Sequence, residues 1–178
     1  MVDPIVNIES IPVNDYIGYQ SEPKNVELLQ GEKLIFADKV KKTNMFDWTQ
    51  ERTLAITNVA IYNVHKKECK RRIPLTDFGG ITKTVAPSKA NEFTVHVPSS
   101  YDYRFSSARR DEIVNILKQL YLIQTKQNCP VFHTQAKDLK DFTTTEKDMK
   151  KGQSRFPSDD YRAHEEDLLK GASPGLHK

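Results

Sequence analysis

Cysteine is scarce in this 178-residue chain: Cys69 and Cys129 are the only two. Their wide separation fits neither a metal ribbon nor a disulfide framework, so a reducing interior, cytoplasmic or cytoskeletal, is the expected compartment. Long apolar runs are missing too, and no segment approaches the roughly 20 apolar residues that span a bilayer. The first residues, MVDPIVNIES, lack the cationic start and apolar stretch of a secretory signal. His65, His96, His133, His164 and His177 have no metal-ligand spacing, and His96, inside an alternating strand, reads as a hydrogen-bonded wall residue. Gly79-Gly80 stands alone, without a phosphate-cradling pattern behind it. No cationic pair adjoins Cys129 to activate its thiol, and Pro130 beside it suggests packing. Asp102, Asp111 and Glu112 read as turn and helix-start acids. The chain shows no catalytic constellation, no internal repeat, and no sign of a cofactor or metal. The expectation is a binding protein, not an enzyme.

Hydrophobic residues make up 37% of the sequence, against roughly 45–50% (Gly counted) in globular domains. About a hundred residues of core with polar flanks would give that composition. The net charge of +3 hides an asymmetry: −4 over residues 1–30, +7 over 31–132 and zero over 133–178. A basic body suits anionic lipid, nucleic acid or an acidic protein surface.

The best-defined stretch is Arg52–Leu75. Alternation places Leu54 and Ile56 on one face and Thr53, Ala55 and Thr57 on the other. After a turn at Thr57-Asn58, Ala60, Tyr62 and Val64 share one face and Ile61, Asn63 and His65 the other. This predicts an antiparallel meander with one buried and one wet face. Its second tip is cationic: Lys66, Lys67, Lys70, Arg71 and Arg72. Lys33–Lys42 precedes it as a first strand, with Leu34 and Phe36 alternating against Ile35 and Ala37. Ile81–Val85, Glu92–Val97 and Tyr101–Ser106 follow, with Gly79-Gly80 supplying the positive φ for a change of sheet direction. The period then changes to 3.6: Ile113, Ile116, Leu117, Leu120 and Tyr121 line one face of a helix ending near Thr125. Ser106 or Ser107 is the expected N-cap. Seven strands and one helix result.

The flanks read differently. Pro4, Pro12, Gly18 and Pro23 break residues 1–27 into an extended arm lying on a surface. Residues 133–178 form a polar tail with one short predicted helix at 159–170, capped by Ser158 and ended by Gly171. In the loop after the first strand, Trp48 is expected to fold back onto the body, where a large aromatic buries the most area. Exposed instead, Phe46 and Trp48 would be interface anchors, as would Phe156 and Tyr161 in the tail. Nucleic acid is a poor fit, because the cations lack the interleaved aromatics of a single-strand platform.

Seven strands closed by one helix is the order of a pleckstrin homology fold, a partly open barrel plugged by its helix. The runs ERTLAITNVAIYNV, CKRRIPLTDFGGIT and NEFTVHVPSSYDYRFSS resemble the tail homology domain of class I myosins over residues 28–132. The chain holds no motor or kinase sequence, so the resemblance carries neither activity. It implies binding of acidic phospholipid by cations on the first two strands and their loop, here Lys39, Lys41, Lys42 and Arg52. Turns at the same end of a meander would bring these together with Lys66–Arg72 into one basic mouth. Two functions stay open. One is a scaffold in a cytoskeletal assembly, such as a ciliary or other microtubule lattice, that orders a tail whose composition would be disordered alone. The other is a peripheral membrane tether. The tail weighs toward the scaffold.

Overall fold

The computed structural model describes residues 7–135 and 139–157; the helix expected at 159–170 and Tyr161 lie outside them. Strands β1 (Asn14–Asp15), β2 (Leu34–Thr43), β3 (Thr49–Thr57), β4 (Ala60–His65), β5 (Glu68–Pro74), β6 (Gly80–Thr84), β7 (Glu92–His96), β8 (Tyr103–Ser106) and β9 (Val131–Thr134) form one curved sheet. Helices α1 (Pro23–Leu28), α2 (Arg110–Thr125) and α3 (Glu146–Lys150) complete it. The strand order is β5-β4-β3-β2-β8-β7-β6-β9, with β1 beside β2. Two antiparallel meanders, β2–β5 and β6–β8, therefore meet where Lys41, Lys42 and Thr43 pair with Ser106, Phe105 and Arg104. With β5 and β9 at its ends, the sheet stays open. This is the pleckstrin-like architecture that the order of strands and helix implied, β2 to β8 being its seven strands.

The interior holds Phe36, Leu54, Ile56, Ile61, Ile73, Ile81, Phe93, Val95 and Phe105. Helix α2 closes one end with Ile113, Ile116, Leu117 and Leu120, all buried, and Tyr121 sets its ring edge-on to Phe78 at 5.8 Å. Full burial of each such side chain stabilises by about 1.5–3 kcal/mol. The helix starts at Arg110 with Arg109 as N-cap, and no side chain caps it. Ser107, an expected cap, instead accepts the Arg109 N–H at 3.0 Å, one residue too early.

Other expectations change as well. In β2 a register shift between Leu34 and Phe36 breaks the alternation, so Ile35 and Phe36 both enter the interior while Leu34 and Ala37 face out. The outer face of the meander is not wet. Ala55, Ala60, Tyr62 and Val64 pack there with Tyr19, Leu29, Leu34 and Ala37 as a second core. Residues 17–29 supply that cover while Ile8 and Ile11 join the interior core, and the segment runs through 3-10 turns, β1 and α1, not as an extended run. Their clasp is polar at its edge: Glu32 accepts from Thr57 Oγ1 at 2.8 Å and Arg72 Nη2 at 3.2 Å, and pairs with the Tyr62 hydroxyl.

The segment after α2 is folded as well, as far as it is described. Strand β9 crosses the expected 132/133 boundary and pairs in parallel with β6. Phe132 and Leu139 are fully buried. Asp102 fastens this segment, its N–H donating to Thr144 O at 2.8 Å and its carboxylate accepting the Thr144 N–H at 2.9 Å. Behind it, His96 meets Asp102 at 3.0 Å and Thr82 at 2.6 Å. Of the glycine pair, only Gly80 has positive φ, at +153°. Gly79 is small for another reason: a Cβ there would stand 2.4 Å from Pro98.

Candidate anion-binding mouth and adjoining cavity

The loop between β2 and β3 is built on Asn44. Its Oδ1 accepts the N–H groups of Phe46 (2.9 Å) and Trp48 (3.0 Å), and its own N–H donates to Trp48 O at 2.9 Å. Asp47 takes a positive φ of 61° and ties the loop to β8 through Arg104 Nη1 at 3.0 Å. This tight turn throws the remaining side chains outward. Phe46 is 68% exposed and Trp48 70%, their rings 6.1 Å apart. Trp48 therefore does not fold back onto the body. Two large exposed aromatics on one hairpin tip are the kind of apolar feature that marks an interface. Phe156 behaves oppositely: its ring lies edge-on against His96 and Phe132 at 5.1 and 5.4 Å, so it packs the tail and is no free anchor.

Beneath the loop, strand parity sorts the predicted cations. Lys42, Arg52 and Arg71 turn toward the barrel mouth. The Lys42 ammonium sits 5.2 Å from the Tyr103 ring centre, and Arg71 stacks on Tyr101 and Tyr103 at 3.7 and 4.7 Å. Arg71 also donates to Tyr101 O at 2.8 Å, and Arg52 to Glu51 O and Gln50 Oε1. All these acceptors are neutral. Burial, then the neighbouring Arg52 and Arg71, hold the Lys42 pKa below the ordinary lysine value, against a weaker opposing effect of Glu146. Among the described residues, buried Arg52 Nε and Arg71 Nη1 have no hydrogen-bond partner. Three cations thus crowd together, none of them ion-paired to a carboxylate among the described residues and only Lys42 partly offset by Glu146, an arrangement that favours an anion.

The other predicted cations point elsewhere. Lys39 donates to Thr53 Oγ1 at 3.1 Å on the outer face, and Lys41 is exposed opposite Glu51. Lys66 and Lys67 form the β4–β5 turn, and Lys67 reaches Glu22 at 3.6 Å. Lys70 pairs with Glu68 at 3.1 Å. Arg72 is occupied by Tyr62 and Glu32, in the clasp rather than the mouth.

A cavity of about 410 Å³ opens on the other side of the hairpin, between β2, the start of β8 and α3. Lys42, Met45, Tyr101 and Tyr103 line one side; Lys140, Lys147 and Lys150 stand on the other. Sequence reading missed these three lysines, which lie about a hundred positions from Lys42 and reach it only through the folded tail.

Residues 13–165 match the family described as unconventional myosin tail, actin- and lipid-binding. Myosin heavy chain IB of Acanthamoeba castellanii is 27% identical over 130 residues, which span 66% of this chain and 11% of that protein. The chain thus corresponds to a small part of that relative's length. The pleckstrin homology domain of human oxysterol-binding protein-related protein 11 is 16% identical, with 51% of this chain and 82% of that one covered and a TM-score of 0.43. The C-terminal domain of an unknown protein from Leishmania infantum is 17% identical, with 55% and 91% covered and a TM-score of 0.45.

Proposed function

The chain belongs to the unconventional myosin tail family of actin- and lipid-binding domains, and from that premise we propose that it is a non-catalytic module that docks on anionic membrane. The observation that carries this reading is the pairing of the cluster Lys42, Arg52 and Arg71, which has no ion-pair partner among the described residues, with the exposed tip of Phe46 and Trp48. Each cation near an anionic leaflet contributes about 1 kcal/mol, screened by salt. Aromatic rings favour the headgroup boundary, and withdrawing Phe46 and Trp48 from water adds an apolar contribution that salt does not weaken. Lys41, Lys66 and Lys70 lie at the same end of the meander and widen the positive field. No described helix is long and apolar enough to cross a membrane, so attachment in this reading is peripheral.

A cytoskeletal partner is the second reading, favoured by the family's actin binding. The scaffold idea, with its ciliary or tubulin-lattice form, leaned on both flanks serving as extended ties. Where they are described, residues of both flanks pack on the barrel, which favours the mouth.

The test is vesicle co-sedimentation with the full chain and phosphatidylserine-containing vesicles. F46S/W48S leaves the charge unchanged and should weaken binding about tenfold or more; K42Q/R52Q should weaken it and flatten its salt dependence. Trp48 is the sole tryptophan, so its emission should shift to the blue on docking. Unaltered binding by both variants would remove the proposal.

A further inference from the structure

Between helix α2 and the end of the sheet lies a groove of about 630 Å³, lined by Val114, Lys118 and Leu122 of α2, Lys83 of β6, and Cys129 and Val131. On α2 it presents a stripe at i, i+4 and i+8, an apolar residue on either side of a cation: Val114, Lys118, Leu122. Lys118 is exposed and has no ion-pair partner among the described residues. Lys83 meets Asp111 at 3.7 Å, but that acid is 76% exposed and shared with Arg110 at 3.4 Å, so it offsets the lysine only lightly. Burial lowers the Lys83 pKa, Asp111 opposes it, and Arg110 and Lys118 add to the lowering. The groove is thus apolar along its floor and cationic at its rim. We propose that it receives the chain's own residues 159–170, docked as an acidic amphipathic helix.

Charge, pattern and length agree. The segment carries Asp159, Asp160, Glu165, Glu166 and Asp167 against Arg162 and Lys170, a net charge of −3. In the helix expected there from the sequence, Tyr161, Glu165 and Leu168 share one face at i, i+4 and i+7. That face is the complement of the α2 stripe: apolar, acid, apolar laid on apolar, cation, apolar. Amphipathic helices enter grooves through anchors at this spacing. At 1.5 Å per residue the stretch from Val114 to Leu122 is about 12 Å long and that from Tyr161 to Leu168 about 10 Å, so the anchors match.

The segment also starts in the right place. Phe156 packs on Phe132 of β9 at 5.4 Å, and a Cβ on Gly80 would stand 3.5 Å from the Phe156 ring and 2.8 Å from Pro130 O. Phe156 is therefore beside Pro130, whose neighbour Cys129 lines the groove. Phe132 and Val131 face opposite sides of their strand, and β9 ends the sheet. The chain has one strand's width to pass round, about 5 Å. Residues 157–160 span about 13 Å when extended, enough for that passage.

Carbodiimide crosslinking of the full chain at low protein concentration, with the products mapped by mass spectrometry, tests the docking. The reagent joins a carboxylate to an amine in direct contact. Wild type should give a Lys118–Glu165 link within one chain. K118E and E165K should each lose it, because two carboxylates or two amines then face each other. The swap K118E/E165K should regain it with the two groups exchanged, a recovery that misfolding does not imitate. Y161A/L168A keeps every charge and the helix propensity, and should lower the yield several-fold. Absence of the link in wild type, no recovery in the swap, or an equal yield in Y161A/L168A overturns the proposal. A link found only between two chains assigns the segment to a second copy and overturns docking within one chain.

Discussion

The β4–β5 turn sets local backbone energetics against the proposed docking surface, and changing it should move stability and binding in opposite directions. Lys66 and Lys67 are the two central residues of the hairpin, with φ of +49° and +64°. A two-residue turn of this hand prefers Asn-Gly, because Gly meets no penalty at positive φ and Asn meets little. Lysine in a left-handed conformation costs about 1–2 kcal/mol by sterics, and Gly relieves that strain at an entropic cost of about 0.5–1 kcal/mol, leaving a gain of roughly 0.5–1 kcal/mol per residue. K66N/K67G therefore gains about 1–2 kcal/mol in the turn. Against that stands the lost Lys67–Glu22 contact, 3.6 Å long and more than 40% exposed on both sides, a pair worth under about 1 kcal/mol. The net gain is about 1 kcal/mol, which raises the melting temperature by about 2–4 °C for a domain of this size.

The same substitution removes two cations from the mouth end. At about 1 kcal/mol each the loss is roughly thirtyfold in vesicle affinity at low ionic strength, shrinking as salt is added. Differential scanning calorimetry reads the first quantity, and co-sedimentation at two salt concentrations the second. A lower melting temperature would show that the two lysines are not strained. Binding within about twofold of wild type at low salt would show that the tip is not part of the docking surface.

Three further outcomes follow from particular sites. G80A should cost about 2 kcal/mol or more in urea unfolding, since the position has φ of +153° and the new Cβ would stand 2.8 Å from Pro130 O, the acceptor of the Ile81 N–H. The Thr145 N–H, with help from Arg155, holds the Asp148 carboxyl below the usual aspartate range. Its contribution is therefore complete above the unfolded value of about 4 and is lost as pH falls through the lower folded value; amide exchange over residues 139–157 should accelerate in that window in wild type, and D148N should abolish that acid dependence. Burial pushes the Cys129 thiol up to about 12, so alkylation at pH 8 should be about a thousandfold slower in the folded protein than after denaturation, with exposed Cys69 reacting first.

Alternation of period two and its change to 3.6 were enough to read β2 to β8 and α2, because each of those elements buries a full stripe of its own. Elements without such a stripe stayed hidden. Strand β1 has two residues and exists through its pairing with Phe36 and Ala37; β9 follows Pro130 and owes its place to β6. The covered outer face had left a signal: Ala60, Tyr62 and Val64 are as apolar as Ile61 between them, and a continuous apolar run is what two-sided burial looks like. Tyr19 and Leu29 supply the second side.

At the site, the sorting of Arg71 from Arg72 was legible, since Ile73 points inward and a strand alternates: Arg71 must face the mouth and Arg72 the clasp. The register shift between Asn63 and Val64 disturbs that parity only on the Lys70 side. The exposure of Trp48 was legible in principle too. Asn44 stands where its side chain can bond backbone N–H groups two and four residues on, and an Asx turn of that kind fixes the loop before any tertiary contact forms. Weighing Trp48 by its area alone overlooked that local hydrogen bonding decides where a short loop points, and area decides only among the directions left open. The lysines of α3 are different in kind. Nothing near them in sequence says that Asp102, some forty residues earlier, will hold Thr144 by both backbone bonds and so carry α3 up beside Lys42. A buried carboxylate in a turn acquires its meaning from the segment it captures. In this chain that capture converts a neutral-looking tail into the far wall of a basic cavity.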